Sequence, residues 1–372
     1  LSYPSNPALP TSPLGALRVV IDNPQLTPGD LLHGFVGLLV NVPINLDTLH
    51  IEFFGDMTCN FYMPKKGARV SENDLVTDHK ILICYTCPLY VWPERVIQPG
   101  QYSIPFMVKV PQGLPSSFQW TEPGQFGASA RVTYKLTCWL LQGIQDTVII
   151  GVHQRENLQP QSIGGQSTVG VKYCCFSRGL INFSVDLSRN TYCTGEDLHL
   201  RITLDCSRSR LRPPLVKASL QCKVALKAPY KVDLERGNMY NTDFIEENVD
   251  TNTAEVDPDA HFQDLSIILR LLPERIGILS SLNSDIIKCD FFILVEAVDP
   301  SCGVSYTDFS YCLPITVHPK LPVQPKPIPP TNWSPIELKE SFIEFSSRDS
   351  MLTPSAPSYA TTPNDLSIIS NT

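Results

Sequence analysis

No stretch of the sequence supplies the roughly 20 consecutive apolar residues that a membrane-spanning helix requires. The best candidate, residues 291–298, is interrupted by Glu296 and bounded by Asp290 and Asp299. Positive charge is in deficit: 29 Lys and Arg against 37 Asp and Glu leave a net charge of −8. That excludes the broad basic field needed for nonspecific attachment to nucleic acid or anionic lipid. Catalytic signatures are missing too. There is no Gly-x-Ser-x-Gly elbow, His-Glu-x-x-His pair, phosphate loop or dinucleotide fingerprint, and the histidines are dispersed singly. The sequence therefore predicts no enzyme, no catalytic residue and no cofactor.

Cysteine is not scarce, but it is not arranged as a framework. Cys84 and Cys87 form a Cys-x-x-Cys unit with no second pair at a distance that would complete a four-ligand zinc site. Cys138 and Cys222 lie inside apolar strand-like runs, where an unpaired thiol behaves as a small hydrophobe. Buried free thiols imply a reducing compartment, hence a cytoplasmic location. The 33 prolines exclude a fold dominated by long helices. The opening LSYPSNPALPTSP has neither a basic nor an apolar region of the kind a signal peptide carries, and reads as a floppy leader over residues 1–13.

What is present is alternation at period two. Leu17, Val19 and Ile21, then Leu49, Ile51 and Phe53, then Val132, Tyr134 and Leu136 place apolar side chains on one face of successive strands. The same pattern returns at Phe183, Val185 and Leu187, at Leu198, Leu200, Ile202 and Leu204, and at Leu220, Cys222 and Val224. Glycine turns separate them. The second set repeats the first at an offset of 166 positions, the interval from Leu17 to Phe183. At that offset Gly29 and Asp30 face Gly195 and Glu196, and Val36 and Leu38 face Ile202 and Leu204. A further strand entering Val110-Pro111 is matched to one entering Leu272-Pro273. Two cores of about one domain each are implied.

The reading is an all-β chain of two tandem immunoglobulin-like antiparallel β-sandwiches with disordered termini. The first sandwich is expected over 14–153, a Gln/Ser/Gly linker over 154–170 with Gly164-Gly165 marking flexibility, and the second sandwich over 171–318. Residues 241–264, acidic and polar, are expected to form a mobile loop, and 319–372 a disordered proline-bearing tail. Pro105, inside an apolar strand, is tolerated only at an edge or a bulge. Lys65, Lys66 and Arg69, and separately Arg208, Arg210 and Arg212, are candidate contacts for an acidic partner.

Several segments carry a family resemblance: LTPGDLLHGFVGLLV, LHIEFFG, IQPGQYSIPFMVKVPQGLPSSF and ARVTYKLTCWL in the first half, RGLINFSVDLSRNTYCTGEDLHLRITLDC, LVKASLQCKV and IIKCDFFILVEAV in the second. Over about 14–319 the chain resembles the arrestin-domain family, in particular the α-arrestins. The resemblance implies a protein-trafficking adaptor that holds membrane-protein cargo on its sandwiches and brings ubiquitin ligases or endosomal sorting complexes through its tail. It would work from the cytoplasm, recruited to plasma membrane and endosomes only through its partners. The family's PPxY motif, read by WW-domain ubiquitin ligases, is not intact: Ala356-Pro357-Ser358-Tyr359 has alanine in the first proline position. Pro354-Ser355-Ala356-Pro357 is similar to the P-S/T-A-P tetrapeptide through which some members bind ESCRT-I. A phosphate-sensing receptor arrestin and an arrestin-like scaffold or coat subunit are the alternative readings of the same fold.

Overall fold

The computed structural model describes residues 12–64, 73–122, 127–141, 143–154, 161–174, 176–229, 239–241, 245–272, 280–298, 304–307, 309–319 and 334–344. Among these residues there is no helix, and the strands, numbered along the chain, form four sheets. One sheet of the first sandwich joins β1 (Gly15–Ile21), β3 (Leu31–Val40) and β6 (Gly100–Lys109), with β22 (Ile336–Glu337) and β23 (Ser341–Glu344) on the outer edge of β6. Facing it, β2 (Gln25–Leu26), β9 (Ile144–Val152), β8 (Ser129–Leu141), β4 (Thr48–Pro64) and β5 (Asn73–Val91) follow in that order, with β7 (Phe118–Thr121) paired to β8. The second sandwich sets β17 (Phe262–Arg270), β13 (Asp197–Asp205), β11 (Phe176–Leu187), β10 (Ile163–Tyr173) and β20 (Val304–Thr307) in one sheet. Its other sheet runs β12 (Thr191–Cys193), β21 (Ser310–His318), β19 (Ile287–Val298), β14 (Leu215–Pro229) and β15 (Met239–Asn241), with β16 (Ile245–Glu255) on β14 and β18 (Leu282–Asn283) on β19.

The inward residues are those that alternate in the sequence. Leu49, Ile51, Phe53, Tyr134, Leu136, Leu220, Cys222 and Val224 are all buried. The 166-position repeat is a repeat of hydrogen-bond register. Leu17 pairs with Leu38 and Val19 with Val36; at the same offset Phe183 pairs with Leu204 and Val185 with Ile202. The turns repeat as well. Gly29 (φ 92°) donates to Val110 O at 3.0 Å, and Gly195 (φ 87°) to Leu271 O at 2.6 Å. Asp30 and Glu196 each turn a carboxylate back onto a backbone N–H three residues earlier, at Thr27 and Cys193, both at 2.8 Å. The positive φ at these two positions is what glycine supplies at no steric cost. The turn bonds align Val110 with Leu271, one residue earlier than the Leu272 matched from sequence.

Three expectations change. Residues 163–170 are not linker: they belong to β10, paired along its length with β11. Gly164 and Gly165 serve close approach, not flexibility, since a Cβ on Gly165 would overlap the Tyr311 hydroxyl and one on Gly164 would stand 2.5 Å from Asp186 Oδ1. Within 241–264, β16 replaces the mobile loop. It carries little apolar signal: Val249 is buried and Ala254 packs against the core, while the backbone ladder to β14 runs the length of the strand.

The third change concerns the tail. Residues 336–344 form two short strands running parallel to β6, from Ile336 opposite Tyr102 to Glu344 opposite Lys109. Val110 N–H donates to Asp30 O, so by alternation the N–H groups of Val108, Phe106 and Ile104 face β3, and those of Lys109, Met107 and Ser103 face the tail. Pro105 falls in the tail-facing set and has no N–H to give. Pairing lapses there, between Glu337 and Ser341, so the sequence rule that confined Pro105 to an edge or bulge describes its side of the strand.

Candidate interaction surfaces

Between the sandwiches lies an open groove of about 800 Å³ whose walls include Ser116 and Gln154 from the first sandwich and Asn190, Lys223, Phe292 and His318 from the second. The Lys223 ammonium sits 4.7 Å above the Phe292 ring, so the groove wall combines an aromatic face with a cation. The LPSSF run ends here. Ser116 Oγ accepts Gln154 N–H and Ser117 Oγ accepts Val152 N–H, both at 3.0 Å, while Pro115 O takes the Tyr134 hydroxyl at 2.8 Å. These residues tie the β6–β7 connection to the end of β9 and to the core. Burial raises the Tyr134 phenol far above its ordinary value, so it is a permanent donor.

The sandwiches also touch directly. Ser284 Oγ meets Met57 Sδ at 3.3 Å, Cys59 Sγ approaches Lys227 O at 3.5 Å, and Lys80 pairs with Asp285. The hydrogen bond from Lys80, then its charge, hold the Asp285 carboxyl below its ordinary range.

At the end of the second sandwich where β10 turns into β11, the structure gathers cations that the sequence presents separately. Arg210 N–H donates to Arg178 O at 2.9 Å and Leu180 N–H to Arg208 O at 3.1 Å, bringing Arg178 beside the predicted cluster. Arg208 and Arg210 are exposed, whereas Arg212 is fixed to Pro258 O and to His261 Nδ1. Arg178 stacks over Tyr173 at 5.7 Å.

The last surface is the β6 edge. Ile343 is 9% exposed and joins the core, and Leu338 packs against it. Leu338 N–H donates to Ser103 O at 3.0 Å, Ser341 Oγ to Leu89 O at 2.8 Å, and Lys109 Nζ meets Glu344 Oε1 at 2.7 Å. Of the four apolar residues in this stretch, Leu338 and Ile343 pack on the core while Ile336 and Phe342 stay exposed, so no period-two apolar face marks it as a strand.

Pro354, Ser355, Ala356, Pro357, Ser358 and Tyr359 lie outside the described residues, as do Lys65, Lys66 and Arg69. Cys84 and Cys87 are on β5, opposite Phe54 and Ile51. Being three apart on a strand, they point to opposite faces and do not converge. Among the described residues no group of three or more His, Cys, Asp or Glu could hold a metal ion. Cys59, Cys138, Cys206 and Cys222 are buried thiols, while Cys84, Cys174 and Cys312 are exposed.

The arrangement defines a class: a tandem antiparallel β-sandwich protein whose surfaces are edges, grooves and charged ends. Residues 177–321 match the family model of the arrestin (or S-antigen) C-terminal domain. Arrestin domain-containing protein 17 of Caenorhabditis elegans is 23% identical over 199 residues, covering 50% of this chain and 43% of that relative. These two likenesses support an arrestin-domain protein, and the chain spans less than half the length of the curated relative it matches. The matched C-terminal model falls on the second sandwich, and the repeated register of β1–β3 in β11–β13 extends the same architecture to the first.

Proposed function

We propose that the chain is a non-enzymatic trafficking adaptor, in which the two sandwiches hold membrane-protein cargo and the tail beyond Glu344 recruits sorting machinery. The observation that carries this reading is the anchored tail. The Pro354-Ser355-Ala356-Pro357 tetrapeptide begins ten residues after Glu344, the last residue paired to β6. Ten residues reach at most about 35 Å, so a partner captured there is held beside the first sandwich and whatever that sandwich binds. Weak contacts then add through effective concentration. A short proline-bearing peptide suits such recruitment because it loses little entropy on adopting the extended form that aromatic-lined grooves read. The partners in this reading are an ESCRT-I subunit at the tetrapeptide and, less well matched, a WW-domain ubiquitin ligase at Tyr359. The protein would act from the cytoplasm, at plasma membrane and endosomes.

The test is capture of ESCRT-I by the intact protein and by Pro354→Ala, Pro357→Ala and Tyr359→Ala variants. Loss with the two proline changes and retention with the tyrosine change supports the tetrapeptide. Equal capture by all of them removes it.

A further inference from the structure

The strap formed by residues 334–344 leaves the second sandwich at His318 but docks on the first. Between His318 and the first described strap residue lie 15 residues, 319–333, enough chain to span about 50 Å when extended. The docked segment is attached by two stretches, Ile336–Glu337 and Ser341–Glu344, separated where Pro105 offers no donor. Each bond it makes is to β6 or its surroundings in the first sandwich: backbone pairing, Leu338 and Ile343 against the core, Ser341 to Leu89 O, Glu344 to Lys109. Nothing in that set depends on the strap and the β6 edge belonging to one polypeptide.

We propose that the β6 edge and the strap form a strand-exchange interface between two copies of this chain, the strap of each copy docking on β6 of the other about a twofold axis. The occupant is fixed by the structure, because a second copy carries the same complementary segment: an aliphatic residue for the slot filled by Ile343, followed by a carboxylate for Lys109. Exchange preserves every strap contact and adds none, so the balance between closed monomer and exchanged pair is set by the tether's effective concentration against that of the chain. A strap that cannot stray more than about 50 Å from its own docking edge is present there at roughly millimolar effective concentration, which sets the crossover. The exchanged form is thus a state of crowded chains, and it stands whether or not the tail recruits ESCRT-I.

The Lys109–Glu344 pair permits a direct readout, since a carbodiimide joins an ammonium and a carboxylate in contact into an amide. Full-length chains in light and heavy nitrogen would be mixed in equal amounts, equilibrated at about 10 μM and at about 1 mM, cross-linked and digested. At the lower concentration the Lys109–Glu344 peptide should be isotopically pure; at about 1 mM, on the order of a tenth or more should carry one label from each copy. Mixing Lys109→Glu with Glu344→Lys chains leaves each mispaired alone but matched at both sites after exchange, so every link at this site joins two copies, and its yield should exceed that of the mixed-label wild-type link several-fold. A wild-type cross-link that stays pure at every concentration, with no link formed at this site in the charge-swapped mixture, overturns the proposal, as does absence of the cross-link in wild type.

Discussion

The close approach of Tyr311 to Gly165 can be tested by adding one methyl group. In Gly165→Ala the new Cβ would occupy the position of the Tyr311 hydroxyl, so the ring must swing away. That ring lies 6.3 Å from Phe183 at an interplanar angle of 87°, an edge-to-face contact worth about 0.5–1.5 kcal/mol. Forcing a side chain aside in a packed region costs a further 1–3 kcal/mol or so. Against this, alanine is better than glycine in a strand interior by roughly 0.5–1 kcal/mol. The balance is a loss of about 1–3 kcal/mol, or on the order of 5 °C in the transition of a sandwich this size. Calorimetry of Gly165→Ala, Tyr311→Ala and the double variant reads it. With Tyr311 shortened, the space is vacated and the added methyl should become neutral or stabilising, reversing the sign. If Gly165→Ala has the same effect in both backgrounds, or none in either, then the glycine is not there for Tyr311.

Thiol reactivity should follow burial: a maleimide is expected to label Cys84, Cys174 and Cys312 in the folded protein, and Cys138 and Cys222 only after denaturation, as read by peptide mass spectrometry. Cys59 belongs with the protected set, its thiol pushed up to about 11 by burial and then by the charge of Asp78; rapid native labelling there would contradict the contact between sandwiches. For Lys80 and Asp285, a lowered carboxyl pKa means the ion pair contributes fully above the ordinary value of 3.8 and is lost as pH falls through the lowered one. Both side chains are substantially exposed, at 48% and 77%, so Lys80→Met should cost less than about 1 kcal/mol near neutrality. The difference from wild type should hold steady from pH 7 to about 5 and shrink toward zero as pH falls through the lowered Asp285 pKa; a difference that grows on acidification would refute the pairing.

The parts of this fold that show in the sequence are those where one residue's side chain reports its backbone's role. Leu17 and Leu38 alternate because both face one core, and Gly29 and Gly195 stand where only glycine takes a positive φ cheaply. Pro105 announces its own missing donor. The parts that do not show are held by backbone or by a distant partner. β16 is invisible because its bonds to β14 are made by groups every residue has. The strap is invisible because its partner is remote, Glu344 meeting Lys109 across 235 positions, and because the prolines that flank it are the usual mark of a chain with nothing to pair with. The candidate site divides the same way. The tetrapeptide is legible because a linear motif carries its chemistry in consecutive residues, whereas the docking of the strap that precedes it depends on Ile343 entering a core built more than 200 residues earlier. A rule that reads proline as disorder misses residues 336–344, and the strap appears only once β6 is known to offer an edge beyond β3.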